Sequence, residues 1–207
     1  MARLLLVRHG ESTWNALGRW QGWADPPLSD LGRAQAEAAA PAAAPVDAVV
    51  SSDLRRARET AELMAAILDV GADHLHVEPD LRERDVGDFT GLTRAEIEER
   101  WPGVLSHGNA SIARDPRFGE TVEALATRVD AALARLAAAF AGQRVLVVTH
   151  GGVVRNLERS FGSEPHPLPN LGGIELVVDP ETGAMEAGER VLLLSPEDVP
   201  VTVPKQL

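Results

Sequence analysis

Three residues near the amino terminus, Arg8, His9 and Gly10, have side chains suited to phosphate chemistry. Arginine binds phosphate oxygens through paired N–H donors, imidazole can act as a nucleophile, and glycine lets the backbone approach a ligand closely. The apolar run from Leu4 to Val7 precedes them and predicts a buried strand. Because ligands bind at the carboxyl ends of strands in α/β sheets, these residues predict an oxyanion site.

A second stretch repeats this arrangement later in the chain. The run 144–149 predicts another buried strand, and it also ends on a histidine followed by glycine, His150-Gly151. We therefore expect His9 and His150 to lie at the same edge of one sheet. A histidine and arginines at that edge could neutralise a phosphate monoester for attack by the other histidine, without a metal.

The charge distribution predicts a basic site in an acidic chain. The formal net charge of -11 argues against nucleic acid or an anionic membrane as partner, since either would require a basic face. Six arginines nevertheless occur in the stretches around the candidate site: Arg8, Arg55, Arg56, Arg58, Arg82 and Arg84. The expected partner is therefore a small phosphorylated substrate, and a homodimer is one option that the sequence leaves open.

The composition is that of an ordinary globular protein, with 44% hydrophobic and 25% charged residues among 207. The chain contains no cysteine, so it has no disulfide framework and no thiolate chemistry, which fits a reducing compartment. The run from Leu4 to Val7 is too short for the core of a signal peptide. No run approaches the ~18 apolar residues of a membrane span. We therefore expect a cytoplasmic protein.

Predicted strands and helices alternate along the chain, which is typical of α/β proteins with a parallel sheet. Strands are predicted at 4–7, 47–50, 74–77, 144–149, 174–178 and 190–194. Helices are predicted after Gly32, ended by Pro41 and Pro45, then after Ser52, from Thr93, from Thr121 and from Val153 to about Phe161. We expect one domain over 1–195, with a lid-like insertion at 85–118 and an extended tail at 196–207.

Four stretches, in this order along the chain, resemble the phosphoglycerate-mutase-like branch of the histidine phosphatase superfamily. They are Leu6-Val-Arg8-His9-Gly-Glu-Ser-Thr-Trp-Asn15, Ser51-Ser52-Asp-Leu-Arg55-Arg56-Ala57, Leu81-Arg-Glu83-Arg84 and Thr149-His150-Gly-Gly152. The resemblance implies an α/β fold, namely a three-layer α/β/α sandwich with a mostly parallel central sheet and a lid-like insertion. It also implies that neither a metal nor a cofactor is needed.

The resemblance further implies a role for each matching residue. His9 is similar to the nucleophile that becomes phosphohistidine, and Arg8 and Arg56 are similar to the arginines that bind the nonbridging oxygens. His150 resembles the second histidine, which donates to the same group, and Glu83 resembles the acid that protonates the leaving oxygen and then activates water. Candidate substrate-binding residues are Asn15, Gln21, Gly22, Gly151, Arg94, Arg114 and Arg117.

Two sequence patterns, one at Glu83 and one at His74 and His76, also have a purely structural interpretation. Glu83 stands in a run of alternating charges, which is typical of a solvated, ion-paired face. His74 and His76 share one face of a predicted strand, but the sequence offers no third ligand there, so no metal site is expected.

The resemblance favours hydrolysis over mutase chemistry. Mutases of this branch carry a paired-arginine stretch, for which Arg114 and Arg117 are the nearest substitutes, and Val86 stands where mutases commonly have tyrosine. We therefore predict a histidine phosphatase, a phosphomonoester hydrolase that acts on a sugar phosphate or a phosphoglycerate derivative such as glucosyl-phosphoglycerate. The alternatives are a cofactor-dependent phosphoglycerate mutase and a catalytically weak phosphate-binding or protein-interaction module.

Overall fold

A six-stranded sheet forms the centre of the protein in a computed structural model, which describes residues 1–107, 116–163, 166–195, 197, 199 and 200. The strands are β1 Ala2–Arg8, β2 Ala48–Ser51, β3 Leu75–Val77, β4 Arg144–Thr149, β5 Gly172–Val178 and β6 Met185–Leu192. Their order across the sheet is β3-β2-β4-β1-β5-β6. Strands β1, β2, β3 and β4 are parallel to one another. Strand β5 pairs antiparallel with β1, and β6 pairs antiparallel with β5. The predicted mostly parallel sheet is confirmed.

Helices cover both faces of this sheet. The α-helices of the described residues are α1 Thr13–Ala16, α2 Asp30–Ala43, α3 Arg55–Ile67, α4 Arg94–Arg100, α5 Val122–Ala139 and α6 Gly151–Ser160. Short 3₁₀ turns occur at Ala72–His74, Pro79–Leu81, Gly87–Phe89, Val104–His107 and Pro116–Phe118. Helices α5 and α6 pack on one face, and α2 and α3 pack on the other. The result is the expected α/β/α sandwich.

The apolar run of β1 is continuous because both faces of the strand are buried. Leu4 and Leu6 pack into the core beneath α5 and α6, whereas Leu5 and Val7 pack into the core beneath α2 and α3. Successive side chains of a strand point to opposite faces, so a strand covered on both sides requires apolar residues at every position.

Polar side chains fix the starts of the helices on these faces. Ser29 Oγ accepts from Gly32 N (3.0 Å) at the start of α2, and Thr121 Oγ1 accepts from Ala124 N (3.1 Å) at the start of α5. Such caps satisfy backbone N–H groups that have no partner inside the helix. The predicted helix starts at Thr93 and Thr121 are confirmed, and the capping box at Thr93 is complete.

The register of β1 and β4 places the two histidines side by side. Arg8 pairs with Thr149, so His9 and His150 are the next residues along two neighbouring parallel strands. The backbone N–H of His9 also donates to Thr149 O (3.0 Å). The prediction that both histidines lie at one sheet edge is confirmed.

Some predicted boundaries differ from those observed. Helix α2 ends at Ala43, shortly before Pro45, but Pro41 does not end it and lies within its last turn. Proline removes only one backbone donor there, and the remaining bonds of the last turn are kept. The last strand is β6, residues Met185–Leu192, rather than 190–194. This edge strand is mostly exposed and polar, so its apolar pattern is weak, while the buried Leu193 and Leu194 lie just beyond it.

A third apolar cluster lies outside the two cores of the sandwich. It is formed mainly by the part of the chain that connects β3 to α5. It consists of Val86, Phe89, Leu92, Ile97 and Phe118, with Trp20 and Trp101 packed against it. These residues come mainly from the segment 85–118 that the sequence marks as an insertion. In the described part of the chain, no helix has the length and apolarity that crossing a membrane requires.

Candidate active site

A cleft opens at the carboxyl ends of β1 and β4, where the candidate residues converge. The charged and polar side chains that line it are Arg8, His9, Asn15, Gln21, Arg56, Glu83, Arg84, Arg155, Asn156 and Arg159. Gly22, Gly151 and Gly152 line it through the backbone. Of the predicted catalytic residues, Arg8, His9, Arg56 and Glu83 line this cleft, whereas His150 is fully buried and does not line it.

Hydrogen bonds determine which nitrogen of His9 carries the proton. Nδ1 lies 2.6 Å from the carbonyl oxygen of Gly10, which can only accept, so Nδ1 holds the proton and donates. Nε2 accepts from Arg56 Nε at 3.2 Å, so it carries the lone pair. Burial, reinforced by Arg56 and Arg8, holds the pKa of His9 well below its usual value. His9 is therefore a neutral imidazole with its lone pair on the side of Arg56.

Two fully buried arginines flank His9. Arg8 ends β1 and donates to Leu168 O (2.9 Å); Arg56, in the first turn of α3, donates to Gly22 O (3.0 Å). Neither forms an ion pair with a carboxylate of the described residues. Burial lowers the pKa of Arg8 to about 9 and that of Arg56 to about 10, so both stay charged at neutral pH. Buried cations without an anionic partner are costly and create a strong positive potential.

His150 is buried next to His9, with ring centroids 5.1 Å apart. Its Nε2 lies 2.6 Å from Ser52 Oγ, while Nδ1 is buried and has no partner among the described residues. Burial is also the main cause that lowers the pKa of His150 well below its usual value. If the Ser52 hydroxyl donates to Nε2, Nδ1 of His150 carries a proton that a ligand oxygen can accept.

Glu83 is held at the mouth of the cleft by two backbone donors. Its Oε1 accepts from Arg84 N (2.8 Å) and its Oε2 from Gly152 N (3.0 Å), which lies in the first turn of α6. A side chain at position 152 would collide with this carboxylate, because a built Cβ lies 2.0 Å from Oε1. Glu83 is thus part of the site and does not form the ion-paired surface that its flanking charges allow.

The polar residues after β1 form a connected network beside the arginines. Ser12 Oγ donates to Gln21 Oε1 (2.8 Å) and accepts from Asn15 N (3.1 Å) as the cap of α1. Gly22 adopts a positive φ of 49° and turns its carbonyl toward Arg56. Asn15, Gln21 and Gly22 line the cleft, where the resemblance places them.

The arginines expected to contact substrate are not all at the cleft. Arg94 is exposed on α4, and Arg117 is exposed with its guanidinium 5.2 Å from the Phe118 ring; neither lines the cleft. Arg114 lies outside the described residues.

Sequence reasoning missed Arg155, Asn156 and Arg159 of α6, which line the cleft. Arg155 and Arg159 are four residues apart, so they share one face of the helix that begins at Gly151. This spacing, directly after a candidate catalytic histidine, is a signal that could have found them. Within the described residues, no group of three or more His, Asp or Glu side chains is arranged to hold a metal ion.

Comparison with known proteins defines the class. The family model of the histidine phosphatase superfamily (branch 1) matches residues 4–172, and the chain belongs to this family. A metal-independent phosphoserine phosphatase from Arabidopsis thaliana is 42% identical over 160 residues, which cover 75% of this chain and 66% of that protein.

The other similar proteins include both mutases and phosphatases. A 2,3-bisphosphoglycerate-dependent phosphoglycerate mutase from Methylocella silvestris is 37% identical over 163 residues, 74% of this chain and 78% of the relative. Among solved structures, a mycobacterial glucosyl-3-phosphoglycerate phosphatase superposes with a TM-score of 0.76 at 30% identity, covering 89% of this chain and 96% of that one. The phosphoglycerate-mutase-like fold is therefore confirmed.

Proposed function

We propose that the protein hydrolyses small phosphate monoesters through a phosphohistidine on Nε2 of His9. The observation that carries this proposal is a neutral His9 beside two buried arginines that have no carboxylate partner among the described residues. A phosphate dianion entering the cleft gives Arg8 and Arg56 the anionic partner that they lack. The positive charges of the two arginines would also disfavour protonation of His9. The same side chains therefore bind the phosphate and keep the nucleophile neutral.

In the first half-reaction, Nε2 of His9 attacks phosphorus while the bond from phosphorus to the ester oxygen breaks. Arg56 Nε, which donates to Nε2 before substrate binds, transfers its hydrogen bond to a phosphoryl oxygen. The imidazolium that forms keeps the proton on its Nδ1, which continues to donate to Gly10 O. The carboxylic acid form of Glu83 gives its proton to the leaving oxygen, so an alcohol departs rather than an alkoxide.

In the second half-reaction, water attacks the phosphohistidine and the P–N bond breaks. The Glu83 carboxylate accepts the proton of that water, and the lone pair returns to Nε2 of His9. His150 Nδ1 donates to a phosphoryl oxygen in both steps. Inorganic phosphate leaves, and the residues return to their starting protonation states.

The test is hydrolysis of an aryl phosphate with and without a chelator, combined with rapid quenching to trap phosphoryl-enzyme. We expect turnover that survives the chelator and an acid-labile, base-stable phosphoryl group on His9. His9→Ala should abolish both, whereas His74→Ala, a change at an exposed histidine, should leave both intact. Turnover without a trapped group would indicate direct attack by water. An unchanged His9→Ala protein would favour a binding module instead.

A mutase remains the second candidate, because relatives of both activities match this chain at similar identity. Isomerisation of phosphoglycerate that requires a bisphosphate primer, together with slow net release of phosphate, would support it. We favour hydrolysis because Val86 lines the cleft at the position where the resemblance places a tyrosine in mutases.

The proposal also covers the organisation of the chain. We propose that residues 1–195 act as one cytoplasmic catalytic domain, with 85–118 bearing on the cleft and 196–207 as a tail. Val86 supports this, since it belongs both to the cleft and to the apolar cluster of that segment. Light scattering would show whether the protein is a monomer or the homodimer that the sequence leaves open.

A further inference from the structure

Three arginines line the cleft beyond the two that flank His9. Arg155 and Arg159 come from successive turns of α6, and Arg84 follows Glu83 on the opposite side. No step of the proposed hydrolysis uses any of these three side chains. Their position raises the question of what they bind.

Arg155 lies directly beside the phosphate end of the cleft. Gly151 separates the two arginines: a Cβ built there would lie 2.9 Å from Nη1 of Arg155 and 3.5 Å from Cδ of Arg8. Arg8 and Arg155 therefore border the same glycine, so a group held by Arg155 would be only a few atoms away from a phosphate held by Arg8.

The charge of Arg155 is not compensated by its surroundings. Among the described residues, its side chain makes no hydrogen bond and no ion pair. Burial lowers its pKa, and Arg159 and Arg84 lower it further, against attraction from Glu83 and Glu158. A half-buried cation among like charges is unfavourable unless an anion joins it.

The nearby carboxylates are already engaged elsewhere. Glu158 pairs with Arg190 (3.1 Å), and Glu120 pairs with Arg128 (2.7 Å). Among the residues that the structure describes, Glu83 is the one carboxylate that lines the cleft, against five arginines. A bound phosphate dianion offsets only two of these five charges while Glu83 is in its acid form, so the cleft still favours further negative charge.

We propose that Arg155 and Arg159, with Arg84, form a subsite for a second anionic group of the substrate. The preferred substrates are therefore phosphate monoesters that carry a carboxylate or a second phosphate a few bonds from the ester. This inference rests on the proposed function, and it specifies the class of substrate for that same site.

Two pairs of ligands that differ in the carboxylate test the subsite. In turnover, phosphoserine is compared with phosphoethanolamine, which has the same ester and amine but no carboxylate. In binding, 3-phosphoglycerate is compared with glycerol 3-phosphate by calorimetry on His9→Ala, which cannot turn them over. We expect the carboxylated member to be preferred about tenfold or more in both kcat/KM and Kd.

Variants of the subsite arginines then show which side chains cause the preference for the carboxylated ligand. Arg155→Gln and Arg159→Gln should each reduce it by about tenfold, because each variant weakens the carboxylated ligand more than the ligand without a carboxylate. Arg58→Gln, at an exposed arginine of α3, should leave the preference intact. Arg155 and Arg159 are both half-buried, and either variant remains informative if the other folds poorly.

The outcomes separate the two proposals. If the wild-type protein hydrolyses the aryl phosphate but shows no preference for the carboxylated ligands, the subsite is wrong and the hydrolase stands. A preference that both variants retain would also overturn it. If no ester is hydrolysed and no phosphoryl-enzyme forms, the hydrolase is wrong, and the calorimetric comparison alone decides on the subsite.

Discussion

The chemistry of the cleft depends on single residues that fix one another. The backbone N–H of Gly10 donates to Thr60 Oγ1 (3.1 Å), and that hydroxyl donates to Arg56 O (2.7 Å). These bonds tie the loop after β1 to α3, and therefore His9 to Arg56. A nucleophile and a phosphate-binding group that are already oriented require little reorganisation in the reaction.

The backbone at Gly152 makes a sharp prediction about Glu83. In Gly152→Ala, the new methyl group would displace the carboxylate from the N–H at position 152, because its contact would be 2.0 Å. We expect kcat for an alkyl phosphate to fall by about 10² or more, since proton transfer to the leaving oxygen is lost. An aryl phosphate, whose leaving group needs less help, should be affected much less.

Gly71→Ala is the matched control, because nothing lies within 4 Å of a Cβ at that position. It should leave kcat for both esters unchanged. The carboxylate is the far end of a flexible side chain, so Gly152→Ala should unfold at nearly the wild-type temperature. Equal losses of kcat for alkyl and aryl phosphates would contradict a role of Glu83 in proton transfer.

At the scale of elements, α5 holds the segment that carries Glu83. Arg128 of this helix donates to three carbonyl oxygens, those of Asp80 (2.6 Å), Arg82 (2.8 Å) and Glu83 (2.9 Å). Glu120 fixes the guanidinium itself through two contacts of 2.7 Å. Arg128 thus helps to fix this stretch, together with Thr149 of β4, which donates to Leu81 O (2.8 Å), and Trp23, whose Nε1 donates to Glu83 O (2.8 Å).

We predict that Arg128→Met lowers kcat for alkyl phosphates by about tenfold with a smaller change in KM, because Glu83 loses its support while the phosphate residues stay in place. Steady-state kinetics on alkyl and aryl phosphates measure this effect. Arg135→Met is the control on the same helix; Arg135 is exposed and pairs with Glu78 and Asp80. A loss of the same size for both esters, or in both variants, would argue for general destabilisation.

Elements with a strong local pattern could be predicted from the sequence. β1 and β4 are apolar at nearly every position, and α5 has a Thr121 cap followed by regular apolar spacing, so the sequence predicts all three elements. The extents of β4 and α5 match the prediction, whereas β1 extends beyond the predicted 4–7 at both ends. β6 could not be placed because its exposed edge position leaves no apolar pattern. Its pairing with β5 determines its extent.

The residues of the candidate site also fall into two groups, those that could be predicted from the sequence and those that could not. His9, Arg8, Arg56 and His150 were predictable because each stands at the end of a strand or the start of a helix within a recognisable motif. Arg155 and Arg159 were missed because a charged pair on a helix is usually a solvated face. Only tertiary packing shows that this face borders the cleft. Arg94 and Arg117, by contrast, lie on exposed surface away from it.

At the scale of the whole molecule, the two buried histidines couple stability to pH. Burial lowers the pKa of both His9 and His150, so below about pH 6.5 the unfolded chain binds protons that the folded protein does not. Stability therefore falls as the pH drops through the unfolded-state pKa and is fully retained above it.

We predict that the unfolding free energy from urea titrations decreases between about pH 7.5 and about pH 5.5, with each histidine contributing up to about 1.4 kcal/mol per pH unit below its unfolded pKa. The double variant His9→Gln/His150→Gln should lose less stability over this range. His74→Gln should behave as the wild type, since that histidine is exposed. An identical decrease in the wild type and the double variant would assign the pH dependence to other groups.

The position of β4 also determines when the protein can first work during its synthesis. β4 lies between β1 and β2 in the sheet, although the ribosome makes it after both. A nascent chain that stops short of β4 has no strand to join these two, and it carries only one of the two histidines. Long-range strand pairing of this kind forms late and slowly. We therefore expect truncated translation products neither to hydrolyse nor to sequester phosphate esters, so that activity begins only in chains that have passed Gly152.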